Sequence, residues 1–349
     1  MKKLRVGVIG VGMGRGHVKG YKEHPNAEVV AIADPNEARL KEIGDRFNVP
    51  SRYKSAREMF ANEKLDVVSV ATPNKFHKPH TVMAFKAGCH VLCEKPMATN
   101  AREARQMLDA AKRAKKHLMI NFSYRFLDHS VALKNEVESG ALGDVYFART
   151  IWHRRRGMPG FGGWFGIKEL AGGGPLIDLG VHRLDLALWL MGYPEPAWVM
   201  GSSYDHLARP LAKKAGKKFD VEDLAVGMIK FKNGATLEIE ASWAANIAEA
   251  ELMETRLFGT KGGLVQRNVG EGYDFEAEIY VERDGAQFDM KLHPPVRAVR
   301  TAYYTFIETI LGKAAPAATG EEGLIVMELL DAIYKSARTG RPVRLKSPS

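Results

Sequence analysis

Asp178, His182 and Asp185 interrupt a mostly apolar stretch, Pro175 to Leu190, made largely of Leu, Ile, Val, Ala and Trp. At spacings of four and three residues they share one face of a helix. A helix this apolar is buried, and burying three ionisable groups without partners costs on the order of several kcal/mol. The stripe therefore lines a polar cavity, or it is a satisfied structural pair in which Asp178 orients a core His182. Proton transfer is the chemistry such a histidine offers. Lys95 follows an apolar run, in Glu94-Lys95-Pro96, at the edge of a sheet where ligands of open α/β folds bind. A cation there would stabilise a developing alkoxide. Gly172-Gly173-Gly174 before Pro175 gives a tight entry and brings backbone amides near the same cavity.

A second group of residues points to an anion. Gly10, Gly12, Met13 and Gly14 follow the strand-like Leu4 to Ile9, and Asp34 ends a second apolar run 24 positions after Gly10. Strand, glycine turn, helix and a distant acid are the context of a dinucleotide fingerprint, in which the turn brings bare backbone and a helix N-terminus to the pyrophosphate. Asp34 then accepts hydrogen bonds from a ribose and favours NAD over NADP, a preference that Arg39, one helical turn on, weakens. The competing readings are an ordinary βα turn and an N-cap role for Asp34. Arg15 stands where the usual third glycine belongs, between Gly14 and Gly16, so the loop is expected to be one residue short.

The elements that must position these residues change in kind along the chain. Runs at 4–9, 29–34, 65–71, 90–93 and 118–121 alternate with helical segments, which predicts a doubly wound parallel sheet over residues 1–121. Residues 122–349 read as an α+β domain with a large, open-faced, mostly antiparallel sheet. Its strands include 144–152, 197–203, 224–231, 235–243, 254–258 and 273–282, and a last helix spans 321–337. Asn233-Gly234 predicts a two-residue type I′ hairpin.

Composition narrows the classes. The chain has 349 residues, 45% hydrophobic and 26% charged, so it can bury a sizeable core and is neither disordered nor fibrous. The net charge of +10 permits an acidic partner without identifying one. Its basic residues lack an interleaved aromatic platform, so no nucleic acid is expected. No apolar run reaches the length of a membrane span, and Cys89 and Cys93 form neither a disulfide framework nor a zinc pattern. The expectation is a metal-free protein of the cytoplasm.

Together the glycine loop, Thr72-Pro73-Asn74 with His77, Glu94-Lys95-Pro96 and Asp178-x-x-x-His182-x-x-Asp185 resemble the Gfo/Idh/MocA oxidoreductases. The likeness covers nearly the whole chain, including Gly259-Thr-Lys-Gly-Gly263 and the last helix; the glycine loop is the departure. The resemblance implies a Rossmann domain joined to an open-sheet domain, a bound NAD (or NADP), and oxidation or reduction at a secondary hydroxyl or ketone of a sugar or cyclitol. It implies Lys95, Asp178 and His182 as catalytic residues. Gly10, Gly12, Met13, Gly14, Asp34, Thr72, Pro73, Asn74, His77, Glu94, Lys95 and Asn121 would hold the cofactor, with Glu94 and Asn121 on the nicotinamide side. A homodimer or homotetramer through the open sheet is expected. The alternatives are a glycosidase or epimerase-like enzyme using NAD transiently, without net NADH, and a non-catalytic dinucleotide-dependent regulator.

Specificity is expected in Trp152-His153-Arg154-Arg155-Arg156 and the glycine- and aromatic-rich segment to Phe165. His153, Arg154, Trp164 and Arg125 join Lys95, Asp178 and His182 as candidate substrate contacts. Stacking rings suit a sugar, and forked guanidinium donors suit a carboxylate or phosphate, as in a uronate or sugar nucleotide. Alternate residues of an extended run face opposite ways, so the three arginines cannot reach one pocket. The competing roles are a solvated or subunit-contacting loop for Arg155 and Arg156 and an inter-domain salt bridge for Arg125.

Overall fold

The computed structural model describes residues 3–293 and 300–345. The chain divides into two compact units, the first made of the chain through Phe122 plus Arg300–Met327, the second of the remainder. A single cut near residue 121 does not anticipate that return of 300–327 to the first unit.

In the first unit β1 (Leu4–Ile9), α1 (Arg15–Lys22), β2 (Ala27–Ala33), α2 (Glu37–Arg46), β3 (Ser51–Tyr53), α3 (Ala56–Asn62), β4 (Val67–Val70), α4 (His77–Lys86), β5 (His90–Cys93), α5 (Ala101–Ala114) and β6 (Leu118–Ile120) alternate. The strands form one parallel sheet in the order β3-β2-β1-β4-β5-β6. Strands covered on both faces need unbroken apolar runs, and Val6, Val8, Val67, Val68, Val91 and Leu92 are wholly buried. Five of these strands are the five read from the sequence. β3 carries only Ser-Arg-Tyr at the sheet edge and has no apolar run to betray it. Asn36, Ser55 and Asn100 start α2, α3 and α5, each accepting a backbone N–H three residues on. The order reverses between β1 and β4, and the carboxyl ends at such a switch point are where doubly wound sheets bind ligands.

The second unit contains α6 (Asp128–Glu138), β7 (Val145–Arg154), α7 (Lys168–Ala171), α8 (Val181–Leu190), β8 (Pro196–Tyr204), α9 (Ala208–Lys214), β9 (Leu224–Phe231), β10 (Thr236–Ser242), β11 (Glu251–Gly259), β12 (Gly262–Asn268), β13 (Phe275–Arg283) and β14 (Ala286–Lys291). After them, α10 (Ala302–Ile310) belongs to the first unit, α11 (Gly320–Thr339) crosses the division, and β15 (Val343–Arg344) rejoins the second. Nine strands pair in the order β14-β13-β12-β11-β7-β10-β9-β8-β15. Every pairing is antiparallel except β7 with β10.

Two local predictions are corrected. The β9–β10 hairpin closes by Phe231 N–H donating to the Ala235 carbonyl at 2.9 Å, so Lys232-Asn233-Gly234 forms a three-residue loop. Of the two turn residues only Gly234 has positive φ, +90°, which fits a type I turn with one left-handed residue and not type I′. The stretch after Pro175 is not one α-helix either. Leu176–Gly180 is a π-helical segment that runs directly into α8. Asp178 therefore lies in a wider turn than His182 and Asp185. Gly180 lets that turn settle on β10, since a Cβ there would stand 3.2 Å from Ala241 Cβ. Wide turns of this kind recur at functional sites.

α8 is tied down by a buried ion pair. Arg125, in the 3-10 turn Ser123–Phe126, donates Nε to Asp185 Oδ2 at 2.9 Å and Nη2 to Asp185 Oδ1 and to Tyr193 Oη. Tyr193 in turn donates to Asp185 at 2.7 Å. Removing one member of such a pair leaves an uncompensated buried charge. Arg125→Met and Asp185→Leu are each expected to lower stability by about 3–5 kcal/mol in denaturant melts, and the double variant by clearly less than their sum; strictly additive losses would contradict the pairing.

Candidate active site

The glycine loop is built by close approach. Gly10 has φ +84°, and a Cβ on it would lie 2.6 Å from the Ala71 carbonyl oxygen at the end of β4. A Cβ on Gly14 would lie 2.4 Å from the Gly10 carbonyl oxygen. Gly14 thus makes the second tight contact, and α1 starts immediately after it with Arg15 exposed. Met13 is exposed at the tip of the loop. Asp34 is buried at the end of β2, where Oδ2 accepts the Val11 N–H at 3.0 Å and Oδ1 the Asn36 N–H at 2.9 Å. Asn36, not Asp34, caps α2, so Asp34 fastens the loop to β2. Arg39 Nη1 reaches Asp34 at 3.3 Å and lies 3.5 Å from where a Gly12 Cβ would stand. Bare backbone, a helix N-terminus and a fixed carboxylate fit a dinucleotide.

Beside the loop a chain of hydrogen bonds crosses the sheet edge. Tyr21 Oη lies 3.0 Å from Ser69 Oγ, Ser69 Oγ lies 2.9 Å from His17 Nδ1, and His17 Nε2 lies 2.7 Å from Glu94 Oε1. Asn121 Nδ2 donates to the same Glu94 oxygen at 2.6 Å and to Tyr303 Oη, on α10, at 3.3 Å. Burial alone would raise the Glu94 pKa, but hydrogen bonds from His17 and Asn121 and the charges of His17 and Lys95 outweigh it and hold it at about 2. His77 has a bridging part in the fold. Its ring is buried, with Nδ1 2.8 Å from the Pro96 carbonyl and Nε2 2.8 Å from the Thr72 carbonyl, so it joins the loops after β4 and β5. Burial lowers its pKa against the pull of both carbonyls. Asn74 is buried in the 3-10 turn between those loops and α4.

In the second unit His182 stands among aromatic rings. The Tyr124 and Trp152 centroids lie 5.0 and 5.7 Å from its own. Behind them the buried Arg183 guanidinium lies over Tyr124, Phe275 and Trp152 and donates Nη1 to Gln266 at 3.2 Å. Desolvation pulls its pKa down to about 10. Asp178 accepts the indole N–H of fully buried Trp243 at 3.1 Å. Trp243 meets Phe219, which also packs on Phe161 and under Gly166. That contact brings the glycine- and aromatic-rich segment toward Asp178, while Trp164 itself stacks on Phe165.

The triple-glycine entry serves the fold. Glu222 accepts the Gly174 N–H at 2.9 Å, the Leu176 N–H at 3.2 Å and the Tyr334 hydroxyl at 2.8 Å, which caps the π segment from within. Burial pushes the Glu222 pKa up despite these donors. Along β7, Trp152 and Arg154 share the face toward His182, whereas His153 lies on the opposite face with Nε2 3.4 Å from Glu240. Arg125 is consumed by Asp185. His17, Arg183, Glu222, Trp243, Glu251 and Tyr273 carry no motif, and sequence reasoning missed them; a buried histidine one turn after a glycine loop was the one usable signal.

The Glu94 network makes a pH prediction. A carboxylate whose folded-state pKa is depressed stabilises the fold above its ordinary value of 4.5 and loses that contribution as pH falls toward about 2. The melting temperature of the unaltered chain should exceed that of Glu94→Gln near neutrality, and the gap should close through that acid window. A gap independent of pH would refute an ionised, donor-stabilised Glu94.

Known proteins resemble this chain over both of its units. Residues 4–122 match the model of the oxidoreductase family with NAD-binding Rossmann fold, and residues 134–345 that of the family's C-terminal alpha/beta domain. The chain is 35% identical over 354 residues to D-glucoside 3-dehydrogenase of Escherichia coli strain K12, covering 98% of this chain and 97% of the relative. It is 30% identical over 349 residues to myo-inositol 2-dehydrogenase of Thermotoga maritima, covering 98% and 99%. Among solved structures, levoglucosan dehydrogenase in complex with NADH superposes with TM-score 0.87 at 25% identity, covering 99% of this chain and 100% of that one. With both family models spanning the two units, the chain belongs to the Gfo/Idh/MocA family of oxidoreductases.

Proposed function

We propose that this chain is an NAD(P)-dependent dehydrogenase that oxidises a secondary hydroxyl of a sugar or cyclitol. The observation that carries the reading is His182 set among Tyr124 and Trp152, with Asp178 fixed by Trp243, in a chain whose first unit holds a dinucleotide loop. Gly10, Gly12, Met13 and Gly14 would receive the pyrophosphate and Asp34 a ribose, with NAD preferred because a fixed carboxylate repels a 2′-phosphate. Glu94, held by His17, and Asn121 would border the nicotinamide. A nicotinamide held there would supply the acceptor for the hydride. His182 takes the hydroxyl proton as the hydride leaves the same carbon, Lys95 donates a hydrogen bond to that oxygen as it gains charge, and Asp178 orients the substrate or the imidazole. The relatives named above are dehydrogenases with sugar or cyclitol names, which favours net oxidation over transient redox chemistry.

Among the described residues no helix is long and apolar enough to cross a membrane. Self-association is assigned to the outer face of the nine-stranded sheet, where Met228 and Phe258 remain exposed. Light scattering should give a dimer or tetramer, and Phe258→Glu should shift it toward monomer; a monomeric native chain would end that assignment.

The activity is tested by following absorbance of reduced nicotinamide while NAD, and NADP in parallel, are offered with free sugars, inositols, anhydrosugars and glycosides. One class should yield NADH. His182→Ala should lower kcat about 10²–10⁴-fold, and Lys95→Ala should lower turnover strongly, with NAD still bound in both. Unchanged turnover in either variant would remove that residue from the mechanism.

A further inference from the structure

The run Arg154-Arg155-Arg156 beside a site for sugars reads as an anion receptor, and the structure argues the opposite. Arg154 stands directly across from Glu251 in the β7–β11 register. Its Nε donates to Glu251 Oε1 at 2.8 Å and its Nη2 to Tyr273 Oη at 2.7 Å. Tyr273 donates to the same Glu251 oxygen at 3.2 Å, and so does the Trp152 indole N–H at 2.6 Å. The guanidinium also lies over Trp152, 5.6 Å from the ring. Glu251 is 13% exposed and Arg154 23%, so the pair is only weakly screened by water. Arg155 donates to the Ala248 carbonyl, and Arg156 to the Ala245 carbonyl and to Asn246 Oδ1, so both fasten the end of β7 to the β10–β11 loop.

This cluster belongs to the wall of His182. Trp152 is the ring it shares with that histidine, and Tyr273 packs edge-on against Trp152 at 6.2 Å. Asp178 adds a second negative charge that acts on Arg154. A carboxylate or phosphate arriving here would meet Glu251 and Asp178 and would have to break a cross-strand ion pair to reach the guanidinium. A polyhydroxylated ring needs no such exchange: carboxylate oxygens accept its hydroxyls, the phenol and guanidinium donate to them, and aromatic faces cover its C–H groups.

We propose that the substrate is an uncharged sugar or cyclitol and that Glu251, by neutralising Arg154, is the residue that rejects uronates and phosphorylated sugars. The inference rests on the dehydrogenase reading. Specificity here comes from a built-in repulsion as much as from attraction.

The test offers the native enzyme and NAD matched pairs that differ only in charge: hexoses with hexuronates, alkyl glucosides with alkyl glucuronides, and inositol with inositol phosphate. NADH formation should favour the neutral member by about 100-fold or more in kcat/KM. In Glu251→Gln the preference should narrow at least about tenfold, because the charged member gains. Tyr273→Phe, at a half-exposed ring, should move the ratio the same way by a smaller step and serves if the first variant does not fold. A native enzyme that prefers the charged member or is indifferent overturns the inference, as does an unchanged ratio in folded variants. Absence of NADH with every member of every pair overturns instead the dehydrogenase reading beneath it.

Discussion

A carboxylate buried in protein must be met by hydrogen-bond donors, and both units of this chain are organised around that requirement. Asp34 sits at the end of β2 because the amides of Val11 and Asn36 meet it there, and the glycine loop is thereby fastened to the sheet. Glu94 gathers His17 from α1, Asn121 from the end of β6 and, through Asn121, Tyr303 from α10. Asp185 binds Arg125 and Tyr193 and fixes α8. Glu222, whose pKa burial raises, caps the π segment and is in turn held by Tyr334. Each acid is a local anchor, and each anchors an element that carries a candidate site residue.

The division of labour between units follows from their sheets. A parallel sheet leaves loops at one edge, and the residues after β1, β2, β4 and β5 include the candidate dinucleotide positions and the candidate lysine. A mostly antiparallel sheet instead presents one face to the π segment and α8, so side chains spaced two apart on β7 and β11 make a wall. Trp152, Arg154 and Glu251 lie on that wall, and His153 does not. Charge balance across the wall, and not the count of arginines, decides what it can receive.

Much of this was legible in the sequence, for identifiable reasons. Buried parallel strands need continuous apolar runs, so five of six were visible, while the three-residue β3 at the edge was not. The glycines of the loop and the acid–base stripe announced themselves by type and spacing. The stripe's geometry was only half right, because a 3.6-residue period cannot reveal a π turn at Leu176–Gly180. Asn233-Gly234 marked its hairpin but not the third loop residue contributed by Lys232. Nothing near Arg125 in the sequence singles out Asp185, 60 residues away, as its partner, and the Arg154 to Glu251 pairing spans 97 residues. Such partnerships depend on packing between segments far apart in the chain, a turn against a helix in the first case and β7 against β11 in the second, which the pattern of either segment alone does not encode.

The proposed reaction requires direct transfer of a hydride from the carbon bearing the hydroxyl. The most direct measurement uses the best substrate carrying deuterium at that carbon, with NAD in ordinary water, and reads the reduced nicotinamide by mass spectrometry. One deuterium in the recovered cofactor, with a kcat/KM lowered relative to the unlabelled sugar, is the predicted result. Reduced cofactor without deuterium, or deuterium lost wholly to water, would contradict it.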